Sequence, residues 1–544
     1  MSNGSNTAPA GRRWIVLVLA LCALLYGLRL GDIAFLGKDE PKNAQAAREM
    51  LRNGDWVITT LDDERWFDKP ILYYWTALVG YSIFGVGELG ARTGPALAGL
   101  LAVWITYLLG RRVLASRRDA SHMAALAAMI LGSGLLFFYY ARTAVTDSLL
   151  TAFVAGCLTA YYFARQGIHP TRNMHLAWAC AALAVLAKGP VGLLLPALVI
   201  GADLLWTREP GSLRRLCLPT GLLLFVVLAG PWYALVTMRS DGQFLLDFLL
   251  ERNLARYATD DLPHQGPVWY YLPVLLLAGY PWSLLLPGAL IRLARRWKSL
   301  PAEERNRLRF LLLWIALPTV FFSFSGSKLP SYLLPAFPAV AVLLARDLIS
   351  LRNRQDRASS AALVAGLTLF ALFSLGVVAG GAWFAVQQGP QDLAAAMPLL
   401  SALTLAALAA LVAVALEPRR LAVPVLAVSA VVLPLVIVLS VPQSVEGRAS
   451  ARRIALQAME LQPHPGQLLS YRFYDNSFFF YTDGLTERYY DLRWIEQRLE
   501  EVGGSGLCFV RTRDLPEVLG RDGLEAEELG AVEDIHLLRL RTTG

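Results

Sequence analysis

Six short stretches carry charged or hydroxylated residues that could do chemistry. Lys38-Asp39-Glu40 is the first, directly after an apolar run. Paired carboxylates there can serve as base, electrostatic stabiliser or metal ligand, or can merely cap a helix beginning near Pro41. Phe67-Asp68-Lys69-Pro70 leads into an aromatic-rich segment, 71–85. A lysine at headgroup depth can hold a phosphate as a point charge, or it can simply snorkel to the boundary. Arg142 and Asp147 lie at a turn between two apolar runs. An acid at that depth is costly alone, so Asp147 is expected either to pair with Arg142 or to act on a substrate. Lys188-Gly189-Pro190 sets a cation at a helix break, which suits an anionic headgroup or a plain helical hairpin. The fifth stretch runs from Arg252-Asn253 through Arg256 to His264-Gln265-Gly266-Pro267-Val268-Trp269-Tyr270-Tyr271. His264 can donate to phosphate or bind a metal, and the Trp-Tyr-Tyr run is most simply an interfacial belt. Last, Ser325-Gly326-Ser327-Lys328-Leu329-Pro330-Ser331-Tyr332 presents a lysine among hydroxyls on a backbone able to bend. Such a turn can cradle a phosphate or face water as a tight connection.

The elements that must position these residues are apolar. Of 544 residues, 56% are hydrophobic and 17% charged, and the charges fall in blocks. A soluble chain of this length cannot hide that much apolar surface, so the composition predicts a polytopic α-helical membrane protein. Runs long enough to span are 14–31, 92–110, 122–139, 145–164, 218–237, 268–291, 310–325, 332–345, 360–384, 397–416 and 421–440. The stretch 176–206, broken at Lys188-Gly189-Pro190, reads as two short spans, which brings the total to about thirteen. The first run lacks a clear small-residue cleavage site and reads as a retained helix.

In a soluble chain the net charge of +8 would suggest nucleic acid. Here the arginines cluster in alternate short loops, from Arg12-Arg13 through Arg111-Arg112 to Arg419-Arg420, where they fix orientation. The alternation stays in phase only if 71–85 does not cross but lies at the interface or re-enters. It predicts an N-terminus in the cytoplasm and a C-terminus outside, with long outer loops at about 32–91 and 238–267. All six stretches then share the outer face. The five cysteines show no CxxC or metal-ligand spacing, so neither a disulfide framework nor cysteine-bound zinc is expected.

Beyond a transmembrane domain of 1–440, residues 445–544 read as a small soluble α/β domain. Strands are expected at 467–473, 477–482, 506–512 and 534–541, and helices at 447–461 and 493–501.

Cations at Lys69, Arg142, Lys188, Arg256 and Lys328 around the acids Asp39 and Asp147 suit a phosphate-bearing lipid substrate and a reaction that needs a carboxylate. P-loop, GxSxG and HExxH motifs are absent, as is an acidic pattern typical of nucleotide-sugar sites. A lipid flippase or transporter is the alternative from another class, since broken helices and intramembrane charges suit one. Against it, the halves show no inverted repeat, the charges gather at one face, and the middles of spans are nearly all Leu, Ala, Val and Gly.

Several segments match a known family in series: DEPKNAQAAREMLRNGDWV (39–57), FDKPILYYW (67–75), GELGAR (87–92), ARTAVTDSLL (141–150), AKGPVGLLLP (187–196), HQGPVWYYLPV (264–274), PWSLLLP (281–287) and SGSKLPSYLLPAFP (325–338). Through them the chain resembles the GT-C glycosyltransferases that use polyprenyl-phosphate sugars. The likeness is greatest to the 4-amino-4-deoxy-L-arabinose transferase branch, related to protein O-mannosyltransferases. The match covers residues 39–338; beyond it only the layout agrees.

The resemblance implies a GT-C fold with a large first outer loop and a membrane-facing cavity for the donor lipid. It implies Asp39 as catalytic carboxylate and Asp147 as a second acid. Lys69, Arg142, Lys188, Arg256, Lys328 and Tyr332 are then expected at the donor phosphate and lipid, and Glu40, Tyr73, Tyr74 and His264 in the substrate cavity. Asp68 stands where the family has Glu, and Ile71 where it has Pro. The implied reaction moves an aminopentose from undecaprenyl phosphate to a lipid A phosphate at the periplasmic face of a bacterial inner membrane, a lipopolysaccharide modification of the kind that gives polymyxin resistance. Asp68 and His264 are the candidate ligands for a divalent ion, whose need the sequence leaves open. A monomer with no nucleic-acid partner is expected. A protein O-mannosyltransferase-like activity on Ser/Thr would need a general base and give Asp39 a stronger role.

Overall fold

The computed structural model describes residues 8–115, 119–207, 212–248, 266–353, 356–446, 451–461, 464, 466–473, 476–532 and 534–543. Backbone in lipid must satisfy its own polar groups, so the apolar runs form helices. In chain order the helices, of which α2 and α10 are polar, begin α1 (Ala8–Gly27), α2 (Asp39–Asn53), α3 (Leu72–Phe84), α4 (Glu88–Val113), α5 (Ala120–Ser133), α6 (Leu135–Ala141), α7 (Asp147–Arg165), α8 (Pro170–Lys188), α9 (Val191–Thr207), α10 (Ser212–Arg215) and α11 (Leu218–Arg239). Later come Ala302–Ser323, Phe337–Asn353, Arg357–Gln388, Pro390–Leu416 and Pro418–Glu446.

The chain is a multi-span membrane protein. Among the described residues, seven helices are long and apolar enough to cross, or nine if each of two bent pairs is one span. The larger number expected from the sequence counts helices whose apolar part is short. Ala302–Ser323, for example, opens with Glu303, Glu304, Arg305, Arg307 and Arg309. The aromatic segment after Lys69 forms α3, whose 13 residues fall short of the roughly 20 a span needs. It lies against α2 and α4. A Cβ on Gly80 would sit 2.1 Å from the Gly90 carbonyl oxygen, so α3 and α4 touch backbone to backbone.

Two runs expected as single spans are sharply bent. The run 122–139 breaks at Gly134 into α5 and α6, at 66°, and the run 268–291 breaks between Val268–Leu277 and Trp282–Ser299, at 111°. The breaks meet. Leu136 N–H donates to the Ala278 carbonyl at 2.8 Å, Leu135 N–H to Tyr280 at 3.3 Å, and the Trp282 indole to Ser133 Oγ at 3.1 Å. Each interruption thus takes up backbone groups freed by the other, the condition for irregular backbone at membrane depth.

The first loop holds a two-residue hairpin, β1 (Thr60–Leu61) and β2 (Glu64–Arg65). Near the C-terminus five strands form one sheet: β3 (Leu468–Tyr471), β4 (Thr486–Tyr489), β5 (Ser505–Arg511), β6 (Leu524–Val532) and β7 (Ile535–Thr542). Their order is β4-β3-β5-β7-β6, parallel among the first three and antiparallel after that. Helices Ala451–Glu460 and Leu492–Glu501 lie where expected.

Of residues 477–482, expected as a strand, 477–481 instead belong to the helix Asn476–Tyr481, and Thr482 follows in a turn. A strand would aim Phe478 and Phe480 at the same face, whereas a helix turns them apart. Phe478 packs in the sheet's core and Phe480 in the core of the membrane helices. The strand β6 escaped notice because LEAEELGAV is rich in glutamate. It is an edge strand whose charges face solvent, and Glu527 pairs with Arg539 at 3.0 Å.

Candidate functional site

Where the first loop, the α6–α7 turn, the end of α8 and the segment 329–332 converge, they enclose about 870 Å³ of space counted to its open mouth. Three carboxylates line it, Asp39, Asp68 and Asp147, with three ammonium groups, Lys42, Lys69 and Lys188. Asn43, Trp66, Tyr140, Thr146, Ser331 and Tyr332 supply further polar and aromatic surface.

Asp39 opens α2, and the sequence around it explains how that end is fixed. Glu40 is 2% exposed and receives two hydrogen bonds from Arg92, Nε to Oε1 and Nη2 to Oε2, both at 2.9 Å. Its carboxylate also accepts from Leu36 N–H at 2.8 Å and Ala144 N–H at 2.6 Å. Arg92 further donates to the carbonyls of Leu30, Ile33 and Ala34. A buried ion pair with every polar atom used is a rigid joint. It binds the loop before α2, the start of α4 and the α6–α7 turn together. Asn43 adds a bond to the Ala144 carbonyl at 3.0 Å. Among the described residues no side chain or backbone group pairs with the Asp39 carboxylate, which lines the cavity. Lys42, one turn on, lies 5.5 Å from the Trp66 ring centroid.

Asp147 opens α7 and Lys188 closes α8, so an acid stands at a helix N-terminus and a cation at a C-terminus, both favoured by the helix dipole. They pair at 2.6 Å. Gly189, with φ 76°, ends α8 directly after Lys188. Across the cavity Lys188 Nζ lies 5.4 Å from the Tyr332 ring centroid. Lys69 pairs with Asp68 at 2.7 Å, both about one-fifth exposed at the wall.

Of the residues expected in the site, Asp39, Asp68, Lys69, Asp147, Lys188 and Tyr332 do come together. Glu40 does not line the cavity; it is spent on Arg92. Arg142 does not pair with Asp147: it caps the end of α1, donating to the Leu25 and Tyr26 carbonyls at 2.6 and 2.8 Å. Those carbonyls have no partner within α1, so the guanidinium is drawn there. Lys328 is buried and donates to the Ser325 carbonyl at 2.6 Å, holding the turn that brings Ser331 and Tyr332 to the cavity. Tyr73 and Tyr74 are fully buried behind it. Burial, with Asp68 nearby, pushes the Tyr74 phenol far above its usual range, so it stays neutral. Arg256 and His264 lie outside the described residues.

Sequence reasoning missed Lys42, Asn43, Trp66, Tyr140, Thr146 and Ser331. For the first two a signal existed: 39, 42 and 43 follow the i, i+3, i+4 spacing of one helix face. Among the described residues no three His, Cys, Asp or Glu are grouped to hold a metal ion.

Residues 68–234 match the family model described as dolichyl-phosphate-mannose-protein mannosyltransferase. Over 355 residues the chain is 34% identical to undecaprenyl phosphate-alpha-4-amino-4-deoxy-L-arabinose arabinosyl transferase 2 of Pseudomonas fluorescens, covering 64% of this chain and 59% of that one. It is 30% identical over 372 residues to the corresponding transferase of Erwinia tasmaniensis, covering 67% and 65%. The chain therefore spans about three-fifths of the length of the curated relatives it matches. Crystal structures of ArnT from Cupriavidus metallidurans, bound to undecaprenyl phosphate and in the apo state, superpose with TM-score 0.78 at 24% and 25% identity, over 97% of this chain and 98% of theirs. The chain resembles these lipid-donor glycosyltransferases in sequence and in fold. The family-model match takes in Asp68, Lys69, Asp147 and Lys188, four of the six charged residues that line the cavity among those described.

Proposed function

We propose that the chain is an integral membrane glycosyltransferase that moves 4-amino-4-deoxy-L-arabinose from undecaprenyl phosphate to a lipid A phosphate. One observation carries this reading. A cavity lined by Lys42, Lys69 and Lys188 together with Asp39 sits in a fold that, over 97% of the chain, follows a structure solved with undecaprenyl phosphate. The curated relatives' names supply the sugar and the donor.

In this reading the donor phosphate lies among the lysines. An acceptor phosphate oxygen attacks the anomeric carbon as the bond from that carbon to the donor phosphate oxygen breaks. The departing undecaprenyl phosphate takes the bonding electrons and its new charge is met by the ammonium groups. The acceptor is already an anionic nucleophile, so it needs alignment and charge screening more than deprotonation. Asp39 orients the acceptor or sugar, or stabilises positive charge growing at the anomeric carbon. Asp147, through its pair with Lys188, holds that cation at the wall.

The wider arrangement follows. About thirteen segments cross the inner membrane of a bacterium, counting the shorter apolar helices as spans. The N-terminus is cytoplasmic, and the cavity and the unit 445–544 face the periplasm, with 1–440 forming the transmembrane domain. The alternating arginine loops support this orientation. A protein Ser/Thr acceptor is the second reading, favoured by the description of the family model. Expression in a host that makes the donor lipid but lacks its own transferase, followed by mass spectrometry of lipid A, tests both. An added aminopentose on lipid A is expected. An inserted chain that leaves lipid A unchanged and glycosylates protein instead would favour the second.

A further inference from the structure

The aromatic helix Asn476–Tyr481 divides its side chains between two cores. Phe478 stays with the C-terminal sheet, its ring 4.5 Å from that of Phe509. Phe480 is 3% exposed and crosses into the membrane part, 4.8 Å edge-on from Phe35 and with the Arg48 guanidinium 3.8 Å above its ring. The Tyr481 hydroxyl accepts from Phe35 N–H at 2.9 Å and donates to Glu88 at 2.8 Å. Arg48 donates to the Phe480 carbonyl at 2.5 Å and pairs with Asp483 at 3.2 Å.

The two gripped residues bracket the reactive end of α2. Phe35 stands four positions before Asp39, and Arg48 nine after it on the same helix. The loop between α1 and α2 has no ladder of its own. Its carbonyls at Leu30, Ile33 and Ala34 are taken by Arg92, and its N–H at Phe35 by Tyr481. Arg92 also lies 5.2 Å from the Phe35 ring centroid, so that ring is held between the Glu40–Arg92 pair and the C-terminal unit. Removing either hold slackens the loop that leads into Asp39 and the far end of α2, while Glu40 and Asn43 still tie the helix to the α6–α7 turn.

We infer that Phe480 and Tyr481 are positioning residues for the transfer reaction: by fixing Phe35 and Arg48, the C-terminal unit sets where α2 presents Asp39 and Lys42. The inference rests on the transferase reading above. It gives the C-terminal unit a role in turnover that needs no substrate contact.

The test compares full-length wild type, Phe480→Ala and Tyr481→Phe in detergent, by transfer kinetics and by hydrogen exchange at the backbone amides of 35–43. Phe480→Ala is expected to lower kcat per folded molecule about a hundredfold, the scale of a 1 Å misplacement, with donor KM little changed. Tyr481→Phe, which keeps the ring and removes only the hydroxyl, is expected to move kcat the same way by less. Exchange at 35–43 is expected to quicken in both. Activity that falls only with the folded fraction, at unchanged kcat per folded molecule, overturns the inference. If wild type transfers nothing, the transferase reading has failed instead, and unchanged exchange at 35–43 in both variants then overturns the positioning role on its own.

Discussion

Asp39 and Glu40 are neighbours with opposite fates, and the difference is one of helical geometry. Glu40 turns inward to Arg92, and Asp39, about 100° around the helix, turns out to the cavity. Asp39→Asn keeps the shape and removes the charge. It is expected to lower kcat about 10²–10⁴-fold while the chain inserts normally, the range for loss of a positioned acid–base or charge-stabilising group. A near-normal rate in the purified variant would take Asp39 out of the reaction. Lys69→Ala is expected to weaken donor use, seen as a raised apparent donor KM, and Lys42→Ala to do the same. An unchanged KM in both would mean the donor phosphate lies elsewhere. The Asp147–Lys188 pair behaves differently. Lys188→Met strands a buried carboxylate, at a cost of about 3–5 kcal/mol. A clear drop in Tm is therefore expected, and the double variant D147N/K188M should recover most of it. Transfer should stay lost in the double variant, which separates the pair's structural part from its part at the substrate.

The elements owe their arrangement to a few close approaches. Gly192 in α9 packs so tightly on α8 that a Cβ would lie 2.3 Å from the Ala184 carbonyl carbon and 2.6 Å from Val185 N. Both are backbone atoms and cannot swing aside. Gly192→Ala is expected to cost about 1–3 kcal/mol by overpacking, read as a lower Tm and a smaller folded yield. Because α8 carries Lys188 at its end, the same change should displace that lysine and lower transfer in the protein that remains folded. A variant as stable and active as wild type would show that α8 and α9 can separate without harm. The two bent helices depend on one another in the same way, since the N–H groups freed at Gly134 are met by carbonyls at the other break.

At the scale of the whole molecule the charges are sorted. Among the described residues the cavity wall sets three acids beside three lysines, so an incoming phosphate draws on cations already in place. Undecaprenyl phosphate is therefore expected to raise the Tm of the intact chain, as about 2.7 kcal/mol of added stability at a hundred times Kd would. Lys69→Ala should shrink that shift, and no shift in wild type at saturating lipid would count against the donor assignment. The C-terminal unit belongs to the same picture, since Arg452 reaches back to Glu88 at 3.3 Å and to the Asp32 carbonyl at 3.1 Å.

The sequence by itself determined that the chain lives in a membrane, because 56% hydrophobic residues in long runs admit no other solvent. It also determined which lysines and carboxylates were worth following, because polar groups set among such runs must be paired or used. It could not say which of them were paired with each other. Asp147 had Arg142 five residues away, yet it found Lys188, and Arg142 went to the open carbonyls of α1. Lys328 sat in a phosphate-like turn and proved to hold that turn together. Such choices depend on where separate helices end in space, and spacing along one segment carries no record of that. Nor did the run NSFFFYT reveal its helix. Its aromatic residues favour a strand locally, and only the presence of two cores to fill, on opposite sides, makes a helix the better solution.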